Sequence, residues 1–302
     1  MKQTKTNIMK EAIKLAQGSI LVLLVAILEM IQSSIDSISA SNINLLLKKP
    51  ILLILQLIGL IAYLPTKGLE TFLNLAFRKI SLKQISKDEE FREFMNLDFK
   101  KSYFVSNKVL VYLHIDTNDY DNLVNLYEAY NNGLAIINEL DKKVSNDIKR
   151  GMNAVDSIVH ISSKSIYERY HGETSAGCFD TYDKSINILL IDDLDYSLLT
   201  LHHEIGHFID YVVGFNLEEG CFGVFSSDED IMLHDAFELE SDFLRDYAKT
   251  DYTEFFAVAY EYKMTNGNMS NLKLIDSRIE NYLLCFNYMI NCIEDIKLRC
   301  FA

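Results

Sequence analysis

The stretch from Leu198 to Gly214, LLTLHHEIGHFIDYVVG, constrains this chain more than any other. Leu201, Ile205, Phe208, Ile209 and Val212 recur at helical spacing and would face a core. His203 and His207 fall off that stripe, toward a cleft. Two histidines four apart project from one face of a helix, about one turn from each other. His203-Glu204-Ile205-Gly206-His207 thus reads H-E-x-x-H, in which both imidazoles can share one Zn²⁺ with bonds of about 2.0–2.1 Å. Glu204 points to the same side and can take a proton from water activated there. Gly214 reads as the stop just past the helix. His202 points about 100° away from His203, which suits a structural role. The competing reading is a surface helix that happens to carry two histidines.

A catalytic zinc needs a third protein ligand and an open position. Downstream, His234, Glu238 and Glu254 all qualify, and spacing alone does not choose among them. Glu238 opens an E-x-x-x-D pattern with Asp242. Glu254 opens an apolar helix, but Asp251 with Glu254 also fits a D-x-x-E capping box, in which Glu254 only ties down a helix start. Tyr247 is one of seventeen tyrosines, any of which can be core. Asp210 either orients a histidine from behind or is solvated.

Taken together, the two segments resemble the catalytic domain of the anthrax lethal factor family. That family pairs an H-E-x-G-H-x-x-D helix with a later tyrosine, and a metal-binding glutamate follows seven residues on in an E-F-F-A-x-A context. His203 to Asp210 matches the first element, and Tyr247 with Glu254 to Ala259 matches the second. The clostridial Pro-Pro endopeptidases share this plan. The resemblance covers about the last two hundred residues and is sharpest from His203 to Tyr260. It implies that His203, His207 and Glu254 bind zinc, that Glu204 is the general base and that Tyr247 stabilises an oxyanion. It also implies an α+β, zincin-like fold, with a small mixed sheet, an active-site helix and C-terminal helices. The edge strand just before the metal helix would lie along an extended peptide substrate. Relatives that have lost the metal motif bind partners instead, so a non-catalytic binding or membrane-associated structural protein is the alternative.

Charge divides the 302 residues unevenly. Residues 1–87 carry eleven Lys/Arg against four Asp/Glu, leaving eighteen against thirty-nine for residues 88–302. The acidic part argues against nucleic-acid binding, which needs a basic face. Lys87-Asp88-Glu89-Glu90 marks the expected boundary between an apolar helical segment, 1–87, and a catalytic domain, 88–302. Within residues 19–64 two apolar runs, Ser19–Leu28 and Ile51–Leu64, are each shorter than a membrane span of about 17–25 residues. Three readings are open: a membrane hairpin with basic flanks on the cytoplasmic side, a secretion signal cut after Ala40, and a soluble helical bundle. Membrane association is the leading expectation. Residues 66–85 read as an amphipathic helix. Five cysteines without a C-x-x-C pair read as mostly free thiols, with a Cys292–Cys300 bridge as the alternative.

Further along, Val109–Ile115 and Ser157–Ile161 read as strands, and 121–147 as one helix. Gly177–Asp180 and Ser185–Ile191 read as a hairpin leading into the metal helix. Residues 271–297 read as a closing helix. The acidic loop from Phe215 to Asp230 reads as either a rim to the cleft or plain solvated surface.

Overall fold

The structure is a computed structural model that describes residues 82, 85–106, 109–172, 175–218, 221–223, 225–227, 233–266 and 268–300. The chain divides into two units, Met1–Lys83 and Gln84–Ala302. The apolar runs within 19–64 lie outside the described residues, as does most of the helix expected over 66–85. Among the described residues no helix is long and apolar enough to cross a membrane.

Among its described residues the second unit is α+β, with eight helices and a mixed five-stranded sheet. The strands are β1 (Lys100–Val105), β2 (Val109–His114), β3 (Ile158–Ser162), β4 (Gly177–Asp180) and β5 (Ser185–Leu189). Their order across the sheet is β1-β2-β3-β5-β4, with β2, β3 and β5 parallel and both edge strands antiparallel. Parallel neighbours need long crossovers. The helices α1 (Glu89–Asn96), α2 (Leu123–Lys142), α3 (Asn146–Ala154) and α4 (Lys164–His171) include those that supply them.

Alternation along the strands defines the core face. Val111, Val159 and Ile186 form one buried row across the sheet, and Leu113, Ile161 and Ile188 the next. Against it pack α2, α3 and the H-E-x-x-H helix α5 (Leu194–Val213), then α6 (His234–Glu240), α7 (Tyr252–Asn266) and α8 (Lys273–Cys300). In α8 the buried positions Ile275, Ile279, Tyr282, Phe286, Ile290 and Ile293 keep helical spacing over its whole length. The Glu240 carboxylate accepts from Leu274 N and Ile275 N, at 2.9 Å each, and so caps the start of α8. Burial is nearly complete from Phe255 to Tyr260, so the apolar middle of α7 is covered on all sides, with Glu254 and Glu261 flanking it.

Several expectations are refined. The helix expected over 121–147 is two: α2 ends at Lys142, and Ser145, in extended backbone, caps α3 through Ile148 N. Strand β1 and helix α4 went unread, since β1 is half-exposed and lysine-rich and α4 is short and polar. Gly214 does end α5, but its φ is −75°, not left-handed. The need for glycine there is room: an added Cβ would sit 2.2 Å from Gly223 O. Part of the loop after α5 packs inward, while its acidic positions Glu219, Asp228, Glu229 and Asp230 lie outside the described residues. Phe222 stacks on Tyr211 at 4.6 Å, and Ser226 is buried against Asp210. Cys292 is a free thiol.

Candidate metal centre

Helix α5 begins at Asp193, whose side chain accepts from Tyr196 N, and carries the motif through its buried middle. His203 and Glu204 are buried and His207 half-buried. Helix α7 crosses α5 at Gly206. An added Cβ at Gly206 would lie 2.8 Å from Ala257 Cα, so the two helix backbones are almost in contact there. That approach carries Glu254, in the first turn of α7, to the histidines.

The three side chains converge. His203 Nε2 and His207 Nε2 are 3.1 Å apart, and Glu254 Oε2 lies 3.1 Å from the first and 3.5 Å from the second. Among the described residues this is the one His/Cys/Asp/Glu group of three or more placed to hold a metal ion. Ligand atoms at the corners of a tetrahedron with bonds of about 2.0–2.1 Å are separated by roughly 3.3–3.4 Å, which these distances match. Glu254 Oε2 is buried and has no hydrogen-bond partner despite its closeness to His203, because the contact lacks hydrogen-bond geometry. Two imidazole nitrogens and a carboxylate oxygen converging on one point form a donor set suited to zinc.

Electrostatics agree. Burial works against a charged His203, but the Glu254 and Glu261 carboxylates outweigh it and lift the imidazole to about 9. Burial likewise opposes ionisation of Glu254, and the two imidazoles overcome it, holding the carboxyl well below its usual range. Glu204 is lifted above the ordinary carboxylate range by burial, with the neighbouring histidines pulling the other way. A buried carboxylate of this kind is a stronger base than a solvated one. Strand β4 runs across it. Phe179 N donates to the Glu204 carboxylate, and an added Cβ at Gly177 would lie 2.7 Å from Glu204 Oε1.

Tyr247 sits on a short 3-10 turn, Asp246–Lys249, and remains 50% exposed. Its hydroxyl donates to Glu254 Oε1 at 3.1 Å, and its ring centroid is 5.8 Å from that of His203. Burial and the adjacent Glu254 push the phenol up to about 12, so it keeps its proton.

The remaining sequence-derived residues fall elsewhere. Exposed His234 and Glu238 lie outside the group, on α6. Asp251 does cap α7 through Glu254 N, at 2.9 Å, while the Glu254 side chain turns to the histidines. Asp210 is fully buried and accepts from Ser226 N and Oγ, at 2.9 and 2.6 Å. Its carboxylate therefore anchors the loop after α5. His202 points into the core, 3.2 Å from Glu139. Two residues at the site went unread, Glu261 and Arg245, which both reach His203 Nδ1. Their signal was present: Glu261 follows Glu254 by about two helical turns on the same face, and Arg245 stands two before Tyr247.

No family model matches the chain, and no curated protein matches it.

Proposed function

We propose that residues 88–302 form a zincin-like, lethal factor-type domain that hydrolyses peptide bonds of a protein substrate with zinc, toxin-like in kind, behind a membrane-associated segment, 1–87. The observation that carries this reading is the convergence of His203, His207 and Glu254 beside the buried Glu204. When bound, zinc supplies Lewis acidity, polarising a carbonyl and bringing the pKa of coordinated water toward about 7. Glu204 accepts the proton of the attacking water and returns it to the leaving nitrogen, so its carboxylate is regenerated. Tyr247 donates its O–H to the carbonyl oxygen as negative charge builds there. This requires the phenol to leave Glu254 Oε1. The outer edge of β4 offers backbone donors and acceptors to an extended peptide.

The test begins with metal content and cleavage of a mixed peptide library. The chain should hold about one zinc. Glu204→Gln should keep it and lower cleavage about 10²–10⁴-fold, since proton transfer alone is removed. Glu254→Ala should lose the metal. Zinc retained by the wild type with no cleavage of any peptide would favour the non-catalytic, partner-binding alternative.

A further inference from the structure

We propose that Arg245 and Glu261 act as one positioning device for the zinc ligand His203. This rests on the zinc reading above and goes beyond its ligand set. Glu261 lies on α7, and its side chain is only 8% exposed. Its Oε2 is 3.4 Å from His203 Nδ1 and 2.6 Å from the Arg245 guanidinium. Arg245 Nη2 also lies 3.3 Å from the same ring nitrogen.

These two neighbours ask opposite things of Nδ1. A guanidinium only donates, so alone it would leave Nδ1 as acceptor and put the ring hydrogen on Nε2, where it would block a metal. A carboxylate only accepts, so it draws the hydrogen to Nδ1 and frees the Nε2 lone pair. A metal on Nε2 would decide the contest: the hydrogen of a neutral ring is then on Nδ1, where it can be given only to Glu261, while Arg245 keeps its 2.6 Å bond to that carboxylate. A carboxylate behind a metal-binding histidine orients the ring and raises its basicity. Here α7 carries both a ligand, Glu254, and the support for another ligand. Arg245 enters from the segment that bears Tyr247, and its guanidinium carbon is 5.6 Å from that ring's centroid. The segment bringing the phenol to the site therefore also pins Glu261.

The experiment is zinc affinity of the 302-residue chain by competition with a chromophoric chelator, with thermal melting as the control for folding. Glu261→Gln keeps the shape but presents either an oxygen or an NH₂ to Nδ1, so it should weaken zinc about 10–100-fold. Arg245→Met should weaken zinc less. The double variant should be no weaker than Glu261→Gln alone, because Arg245 acts through Glu261. Affinity for Glu261→Gln within about twofold of wild type would overturn the proposal, as would losses that multiply in the double variant. Should Glu261→Gln not fold, Arg245→Met decides: this side chain is 39% exposed, and unchanged affinity there overturns the proposal. A wild-type chain that binds no zinc overturns the metal reading and this device with it. Tight wild-type binding beside unmoved variants overturns the device alone.

Discussion

Tyr247 is held on Glu254 and exposed on its other side, so removing its hydroxyl touches little besides that one bond. Tyr247→Phe should leave zinc affinity close to wild type and lower kcat about 10²–10³-fold, the usual cost of losing one oxyanion donor. Steady-state kinetics beside chelator competition separates the two effects. Asp210 gives a pH prediction. Burial lifts its carboxyl to about 6, against about 3.9 unfolded. Between those values the folded chain binds more protons than the unfolded one, so stability falls as pH rises from about 4 to 6 and is flat above. The raised pKa costs about 3 kcal/mol above pH 6. Asp210→Asn, read by urea unfolding at pH 4 and pH 7, should remove that slope. At this scale the sequence was legible where residues act in a fixed register. His203, Glu204 and His207 follow from helix periodicity, and Glu254 needed the resemblance, since its capping-box reading was equally good. Asp251 does make that cap, so both signals were real and only the side-chain direction told them apart. Arg245 and Glu261 stand in register with residues that were read, but went unread because their meaning depends on a contact across 16 residues.

Two glycines set the element scale. At Gly177, β4 lies so close to α5 that an added methyl would meet Thr200 Cγ2 at 2.4 Å and Glu204 Oε1 at 2.7 Å. Gly177→Ala should displace the Glu204 side chain, lowering cleavage while leaving zinc stoichiometry at one per chain. At Gly206 the obstacle is a helix. Gly206→Ala should destabilise the fold by about 1–3 kcal/mol, as overpacked cores do. It should also weaken zinc, because α7 retreats with Glu254; denaturant melts and chelator competition check both. Elements with strong patterns were readable, including β2, β3, the β4–β5 hairpin, α5 and α8. The break between α2 and α3 turned on one capping serine, and β1 lacked an apolar row because only Val105 on it is buried.

For the whole molecule, the ligands come from α5 and α7, two helices of one core, so binding a metal there should stabilise the entire second unit. At one hundred times its dissociation constant, zinc adds about 2.7 kcal/mol. For a domain of this size that is a rise in Tm of roughly 5–10 °C. Stripping the chain with a chelator and melting it by calorimetry measures the effect. The contrast in charge between 1–87 and the rest was visible from composition alone, and the resemblance anticipated the α+β class. The strand order was not legible, since parallel pairing joins segments far apart in sequence. The near-contact of α5 and α7 carries a last consequence. The atom closest to a methyl at position 206 belongs to the main chain of Ala257. No smaller residue at 257 can make room for it, so a damaged position 206 has no second-site suppressor opposite. Relief would come only by shifting a whole helix, and such a repair would carry off the carboxylate it was meant to save.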